Sequence, residues 1–321
     1  MELSNQLLQN GTDVNEFILL GLSSNPKAQL ILFGLFLLIY LVALIGNTII
    51  LLAVCLNKRL HNPMYFFLGN LSVVDIGYTS STVPKMLMNY LSLNKTISLA
   101  GCFFQMFFFM SFGTIECLML GVMAYDRYAA ICHPLHYSVL MRPRVCAFLA
   151  ATAWAMGLAN SGVHTGMMTR LSFCLNNIIH NFFCDLPPLF QLSCTDTQLN
   201  KVVMFIVGGG MNISSFVVIL VSYTFIVLAI FRIHTKDGRH KAFNTCASHL
   251  IVVNIYFGSG MFTYLLSSSS YSQEKDRVLP ILYGIITPML NPIIYSLRNK
   301  DVKGTLKRLV THQTAEASHG V

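Results

Sequence analysis

Asp75 and Glu116 stand deep inside long apolar stretches of the chain, where an ionised carboxylate is expensive unless something pairs with it. Asn47, Ser72 and Asn291 are polar residues in similar surroundings, able to converge on the two acids. Two carboxylates brought together can share a cation or a proton, so the pair reads as a cation-linked switch or as a protonated structural network. A catalytic dyad needs a nucleophile or an activated water beside it. The chain has no His-Glu-x-x-His, no Gly-x-Ser-x-Gly and no phosphate loop, so an enzyme is not expected. Asp126-Arg127-Tyr128 sets an acid against a base, which at a helix end makes an ion pair with a snorkelling Arg. His249 is either a pH-sensitive group or a satisfied polar partner.

These groups need elements to hold them, and composition limits which. Of 321 residues 54% are hydrophobic and only 11% charged, with a mean hydropathy of +0.61. A soluble domain carries roughly 25% charged residues. A soluble enzyme, a disordered chain and a nucleic-acid binder are therefore excluded, despite a net charge of +8. Seven apolar stretches follow one another: 28–56, 64–88, 99–125, 145–168, 202–231, 242–271 and 278–297. Each reaches or exceeds the roughly 20 residues a membrane helix needs and is too long for the roughly ten of a barrel strand. The expectation is an all-α membrane protein, a seven-transmembrane helix bundle. Its parts are an outer N-terminal segment 1–27, the bundle 28–297, and an inner tail 298–321.

Basic residues set the orientation. One side holds Lys58, Arg59, Arg127, Arg142, Arg144, Arg232, Lys236, Arg239 and Lys241 plus five in the tail, 14 in all against 7 opposite. The richer side is cytoplasmic. The inner side then sums to +10, the outer side to zero, and the two membrane acids to −2. This places the sequons at Asn10 and Asn94 outside, open to glycosylation. Residues 1–27 lack a basic start followed by an apolar core, so the first span is expected to serve as the targeting signal. Cys102, Cys174, Cys184 and Cys194 also lie outside, where oxidation allows two bridges among three pairings. A bridge from the long outer loop to Cys102 would pin that loop over the bundle mouth. Oxidised in this way, the cysteines near His180 could not ligate a metal as thiolates.

Five stretches, in order, resemble one family. Leu60-His61-Asn62-Pro63-Met64-Tyr65-Phe66-Phe67-Leu68 opens the second span. Met123-Ala124-Tyr125-Asp126-Arg127-Tyr128-Ala129-Ala130-Ile131-Cys132 closes the third and runs into His133-Pro134-Leu135-His136-Tyr137. Ser222-Tyr223 lies in the fifth. Lys241-Ala242-Phe243-Asn244-Thr245-Cys246-Ala247-Ser248-His249-Leu250 opens the sixth, and Pro288-Met289-Leu290-Asn291-Pro292-Ile293-Ile294-Tyr295 closes the seventh. Together they look like an odorant (olfactory) receptor of class II, the tetrapod type, within the rhodopsin-like G-protein-coupled receptors. The chain departs from that pattern at Asn244 and Ala247, where the family usually has Ser, and at Tyr256-Phe257-Gly258, where it usually has Phe-Tyr-Gly.

The resemblance implies roles. Asp126 would hold Arg127 at rest in the Asp126-Arg127-Tyr128 switch, and on activation the released Arg127 would meet the G protein and Tyr223. Asn291-Pro292 would hinge the seventh span and swing Tyr295 inward. Asp75, Glu116 and Asn291 would hold sodium, the candidate ion; no other cofactor is expected. The ligand would lie in the outer half of the bundle, among Phe109, Met110, Gly113 and Thr114 of the third span, Val207 and Met211 of the fifth, Gly260, Thr263 and Tyr264 of the sixth, and Tyr283 of the seventh. These positions are mostly apolar, and Phe109 stands where amine receptors carry an acid, so the ligand is expected to be small, neutral and largely apolar.

The tail would form a short amphipathic helix on the membrane, with Val302, Leu306, Leu309 and Val310 on its apolar face. It carries no cysteine for a palmitoyl anchor. Expected partners are a volatile odorant, a heterotrimeric stimulatory G protein of the olfactory type and membrane lipid, with a trafficking escort protein as a further candidate. The competing class is a proton- or cation-coupled multi-span transporter or channel, against which the chain shows no repeated half.

Overall fold

The computed structural model describes residues 15–174, 177–233, 235–266 and 280–298, with the side chains of 59, 241, 244, 245, 261–266 and 296–298 outside the description. Asn10, the tail helix and the side chains of Thr263 and Tyr264 therefore lie beyond the described residues.

Seven long helices form where the apolar stretches lie. They are α1 (Pro26–Leu56), α2 (Pro63–Leu91), α3 (Leu99–Cys132), α4 (Pro143–Met168), α5 (Gln198–Phe231), α6 (Lys236–Leu266) and α7 (280–298). Their starts are written locally. Asn25 and Asn62 cap α1 and α2 through their side chains, each followed by Pro at the first helical position. An Asx cap satisfies a free N–H, and Pro there has none to lose. Ser98 Oγ accepts from Gly101 N at 3.1 Å to start α3. Two helices contain a turn wider than α: Met204–Gly209 in α5 and Leu282–Ile286 in α7.

By length and apolarity alone, α1, α3, α4 and α5 could each cross a membrane. Helix α2 is more polar because its inward face carries Ser72, Asp75, Thr79 and Thr82, all buried. The outward faces are the reverse, with Leu30, Ile31, Leu38, Phe104, Phe148, Phe205 and Phe231 exposed. A bundle apolar outside and polar within is built for lipid.

The helices close a ring in which α1 packs on α2 and α7, α7 on α6, and α6 on α5. Helix α3 runs through the middle and touches α2, α4, α5 and α6. Glycine lets some of these helices approach closely. A Cβ on Gly46 of α1 would sit 2.8 Å from the Pro292 ring of α7, and one on Gly157 of α4 would sit 3.0 Å from the Ser111 carbonyl of α3.

One end of the bundle carries a cap that the sequence reading did not contain. Strand β1 (Glu16–Leu19) pairs antiparallel with β2 (Thr96–Ser98) and parallel with β3 (Ile178–Ile179). The outer N-terminal segment thus supplies the central strand of a small sheet. Phe17 and Leu19 are fully buried, and Phe17 meets Phe173 edge-on at 5.4 Å. Of the three possible pairings the structure has Cys102–Cys184 and Cys174–Cys194, with Cα separations of 5.5 and 5.9 Å. The first fastens the loop to α3. One turn along α3, Gln105 accepts from Cys184 N at 2.9 Å and donates to Ser81 O at 3.2 Å, tying loop, α3 and α2 together.

Asp185 follows this bridge and caps the short helix Leu186–Leu192, accepting from Leu186 N at 2.8 Å. Burial pushes its carboxyl up to about 6, against a smaller opposing effect of that bond. The folded state therefore holds a proton that the unfolded chain releases near pH 4, so stability falls as pH rises from about 4 to 6. Thermal melts of the purified protein across that range should show wild type losing stability with rising pH more steeply than Asp185→Asn. Equal slopes would refute the assignment.

Candidate functional site

At the end opposite the cap, the last turns of α3 hold Asp126 and Arg127, both buried. Arg127 Nε donates to Asp126 Oδ2 at 3.0 Å, and its Nη2 bonds the same oxygen. The other carboxylate oxygen, Oδ1, accepts from Tyr137 OH at 2.7 Å. Tyr137 begins the short helix Tyr137–Leu140, so the connection after α3 folds back to clamp the acid. Burial and the Asp126 carboxylate push the Tyr137 phenol above its usual range, which keeps it a donor. A buried charge survives only when paired and hydrogen-bonded, and Asp126 has both. Tyr128 points elsewhere: its OH meets His133 Nε2 at 2.9 Å and its ring packs against Phe225 of α5.

Above Arg127, one imidazole joins three helices. His249 Nε2 lies 3.0 Å from Leu120 O, and Tyr223 OH lies 2.8 Å from His249 Nδ1. A carbonyl only accepts, so Nε2 carries the proton and Nδ1 accepts from Tyr223. Of the two readings of His249, the structure gives the satisfied partner, linking α6 to α3 and α5.

At mid-depth, Asn291 Nδ2 donates to both Asp75 oxygens, at 3.1 and 2.9 Å. Asn47 donates to Ala43 O and Pro288 O at 2.9 and 3.0 Å, joining α1 to α7. Glu116 lies within electrostatic reach of Asp75. Among the described residues, Ser72 Oγ, Asn47 Oδ1, Asn291 Oδ1 and both Glu116 oxygens have no hydrogen-bond partner. This is an all-oxygen donor set, which suits a hard cation or a shared proton. Pro292 is buried against Gly46, and Tyr295, one turn further, is buried as well.

Toward the cap, Phe109 packs on Tyr78 at 4.8 Å, on Phe183 at 4.5 Å and on Tyr283 at 6.3 Å between ring centres. Gly284 leaves room for it, since a Cβ there would lie 3.0 Å from the Phe109 ring. The expected ligand residues thus gather in part. Phe109 and Tyr283 meet, Met110 packs into the cap core, and Val207, Met211 and Gly260 are half-buried. Gly113 offers its carbonyl to Tyr256 OH at 2.7 Å. Thr114 is turned away from them, accepting from Asn160 of α4 at 3.0 Å.

The chain resembles known proteins along most of its length. Residues 36–313 match the family model described as olfactory receptor. It is 51% identical to the mouse (Mus musculus) olfactory receptor 5AP2, over 94% of this chain and 95% of that protein. It is 50% identical to the human (Homo sapiens) olfactory receptor 1N1, over 97% of this chain and all of that one. The chain belongs to the olfactory receptor family. Its fold is also that of a crystal structure of squid rhodopsin, with a TM-score of 0.69 at 17% identity, covering 89% of this chain and 86% of that one. The protein is therefore a multi-pass G-protein-coupled receptor of the plasma membrane with an odorant ligand and a G protein partner, and not an enzyme.

Within this olfactory receptor, Tyr137 is a partner of Asp126 to which the sequence assigned no role. It stood there only as the end of the stretch after the third span, until the chain reversal brought it to Asp126. Phe183 was missed too, although it precedes Cys184, and a Cys184–Cys102 bridge would have placed it over α3. The departure at Tyr256-Phe257 has a structural consequence: the hydroxyl now ties α6 to α3 at Gly113, and Phe257 packs on Phe216 at 5.3 Å.

If the Asp126 clamp belongs to the resting state, removing the Tyr137 hydroxyl weakens it by about 1 kcal/mol, the worth of a typical hydrogen bond. Tyr137→Phe should then raise basal G-protein nucleotide exchange several-fold, Asp126→Asn should raise it further, and the double variant should not exceed Asp126→Asn. A lowered or unchanged basal rate in Tyr137→Phe would refute the clamp.

Proposed function

We propose that this receptor binds a small, neutral, mostly apolar odorant beneath the disulfide cap and activates a stimulatory G protein of the olfactory type, raising cyclic AMP. The observation that carries the reading is that α3 bears both halves of the device. Its cap end presents Phe109 to Tyr78, Phe183 and Tyr283, and its far end presents the Asp126–Arg127 pair. A ligand that favours one arrangement around α3 shifts the population at the other end by its differential affinity for the two states. The basic excess at the Arg127 end puts that end in the cytoplasm, with the cap and Asn94 outside. Aromatic packing of Phe109 against Tyr78, Phe183 and Tyr283 suits a ligand held by shape and one or two hydrogen bonds. A trafficking escort protein is a further partner consistent with the family.

An odorant panel applied to cells expressing the receptor with that G protein should return at least one agonist that raises cyclic AMP, and Arg127→Ala should abolish the response. A response that persists without the G protein would overturn the reading.

The oxygen set around Asp75 fits sodium. Asp75, Glu116, Ser72 and Asn291 would hold it, and the ion would supply a positive charge between two acids. Replacing sodium by an impermeant organic cation should raise basal nucleotide exchange in wild type and not in Asp75→Asn. Equal responses in the two would favour a shared proton instead.

A further inference from the structure

A second polar cluster lies between α3, α4 and α5, where the sequence offered no ligand position on α4. Asn160, Ser161, His164 and Thr165 fall at i, i+1, i+4 and i+5, one face of α4. That face meets α3, since Asn160 Nδ2 donates to Thr114, and Ser111 lies opposite it, its carbonyl 3.0 Å from where a Cβ on Gly157 would sit. It also meets α5 at the wide turn Met204–Gly209, where a Cβ on Gly208 would come 3.7 Å from His164 Nε2. Ser111, Asn160, Ser161 and His164 are at most 3% exposed. Among the described residues, Ser111 Oγ, Asn160 Oδ1, Ser161 Oγ, His164 Nε2 and Thr165 Oγ1 all lack a hydrogen-bond partner. Buried polar atoms are nearly always satisfied, and five unmet on neighbouring faces call for a polar occupant.

The donor set limits that occupant. The facing stretches 104–115, 157–168 and 203–211 contain no Asp, Glu, Lys or Arg, so a carboxylate or ammonium would be buried without a counter-charge. Asn160 Nδ2 gives one hydrogen to Thr114, while its Oδ1, which only accepts, has no partner and needs a donor. A ketone or ester oxygen only accepts and would leave Oδ1 unmet. A hydroxyl both donates and accepts, and suits the serine and threonine hydroxyls equally.

We propose that Ser111, Asn160, Ser161, His164 and Thr165 form the polar end of the odorant site and take the hydroxyl of a small neutral alcohol. This deepens the odorant-binding reading and rests on it. Water supplies the same hydroxyl chemistry, and the experiment separates the two.

Ser161→Cys and Thr165→Cys would each be introduced into the full-length receptor in membranes and treated with methyl methanethiosulfonate. Modification would be mapped on the peptides by mass spectrometry. Leu93→Cys, in the exposed connection after α2, serves as the reactive control and native Cys117, buried, as the inert one. Labelling is then repeated with a set of small linear, branched and cyclic alcohols, and with the hydrocarbons, carboxylic acids and amines of the same skeletons. The expected result is modification of both introduced cysteines, slowed tenfold or more by at least one alcohol and not by its hydrocarbon, acid or amine. No modification of either while Leu93→Cys is modified would overturn the proposal, leaving closed packing. Modification with no alcohol-selective protection would also overturn it, leaving water alone. Labelling does not read signalling. A receptor protected here but silent in the cyclic AMP screen would sink the coupling reading and keep the site.

Discussion

In an apolar surround a polar group must be satisfied by the protein itself, and the rest of this structure depends on that constraint. It forces the backbone into helices, whose bonds are internal. It then turns the side chains that cannot be satisfied by lipid toward the bundle axis. Asp75 finds the Asn291 amide, Asn47 spans to Pro288 O, and His249 takes a partner at each ring nitrogen. Each of these bonds crosses between helices. The polar residues that lower the apolarity of α2 are thus among the ones that fix where α1, α2 and α7 sit relative to one another.

The same constraint gives α3 its place. It packs against four helices and carries an inward group at nearly every level: Cys102 and Gln105 at the cap, Phe109 below, Glu116 at mid-depth, Asp126 and Arg127 at the far end. Dense packing makes such a helix respond in discrete steps rather than by smooth bending. Among the described residues, α6 is hydrogen-bonded to two α3 carbonyls, Tyr256 to Gly113 and His249 to Leu120. Contacts between α6 and α5 are comparatively few. Helix α6 is therefore held chiefly by a few polar bonds and by α7, and a small change in those bonds shifts its balance. In this chain the upper bond depends on the swap that puts a hydroxyl at Tyr256 and a bare ring at Phe257.

What was legible in the sequence follows from length scales. A span needs about 20 apolar residues, a long signal that survives irregular composition, so all seven helices could be read with ends displaced by a few residues. The two acids were legible because charge is so scarce in the interior. Strand β1 was not, since four residues, Glu16-Phe17-Ile18-Leu19, make too short a pattern. They form a strand only beside β2 and β3, about 80 and 160 residues away. The disulfides were legible as a set of four cysteines and not as pairs. Tyr137 and Phe183 are placed by chain reversal and by a bridge, neither of which has a local signature.

Thr114 shows a different limit. Helical spacing put Phe109, Met110, Gly113 and Thr114 on one broad face. A helix surrounded on four sides has no single inward direction, however, so one face can serve two neighbours. Phe109 looks toward α7 and the loop at Phe183, while Thr114 looks toward α4. Hydrophobic periodicity separates lipid from interior and cannot divide the interior further. That division is made by hydrogen-bond valence. Asn160 has two amide hydrogens and one carbonyl oxygen to place, Thr114 takes one hydrogen, and the remainder must be met on the α4 side. Counting donors and acceptors residue by residue therefore locates polar recognition inside a bundle whose apolar pattern is silent about it.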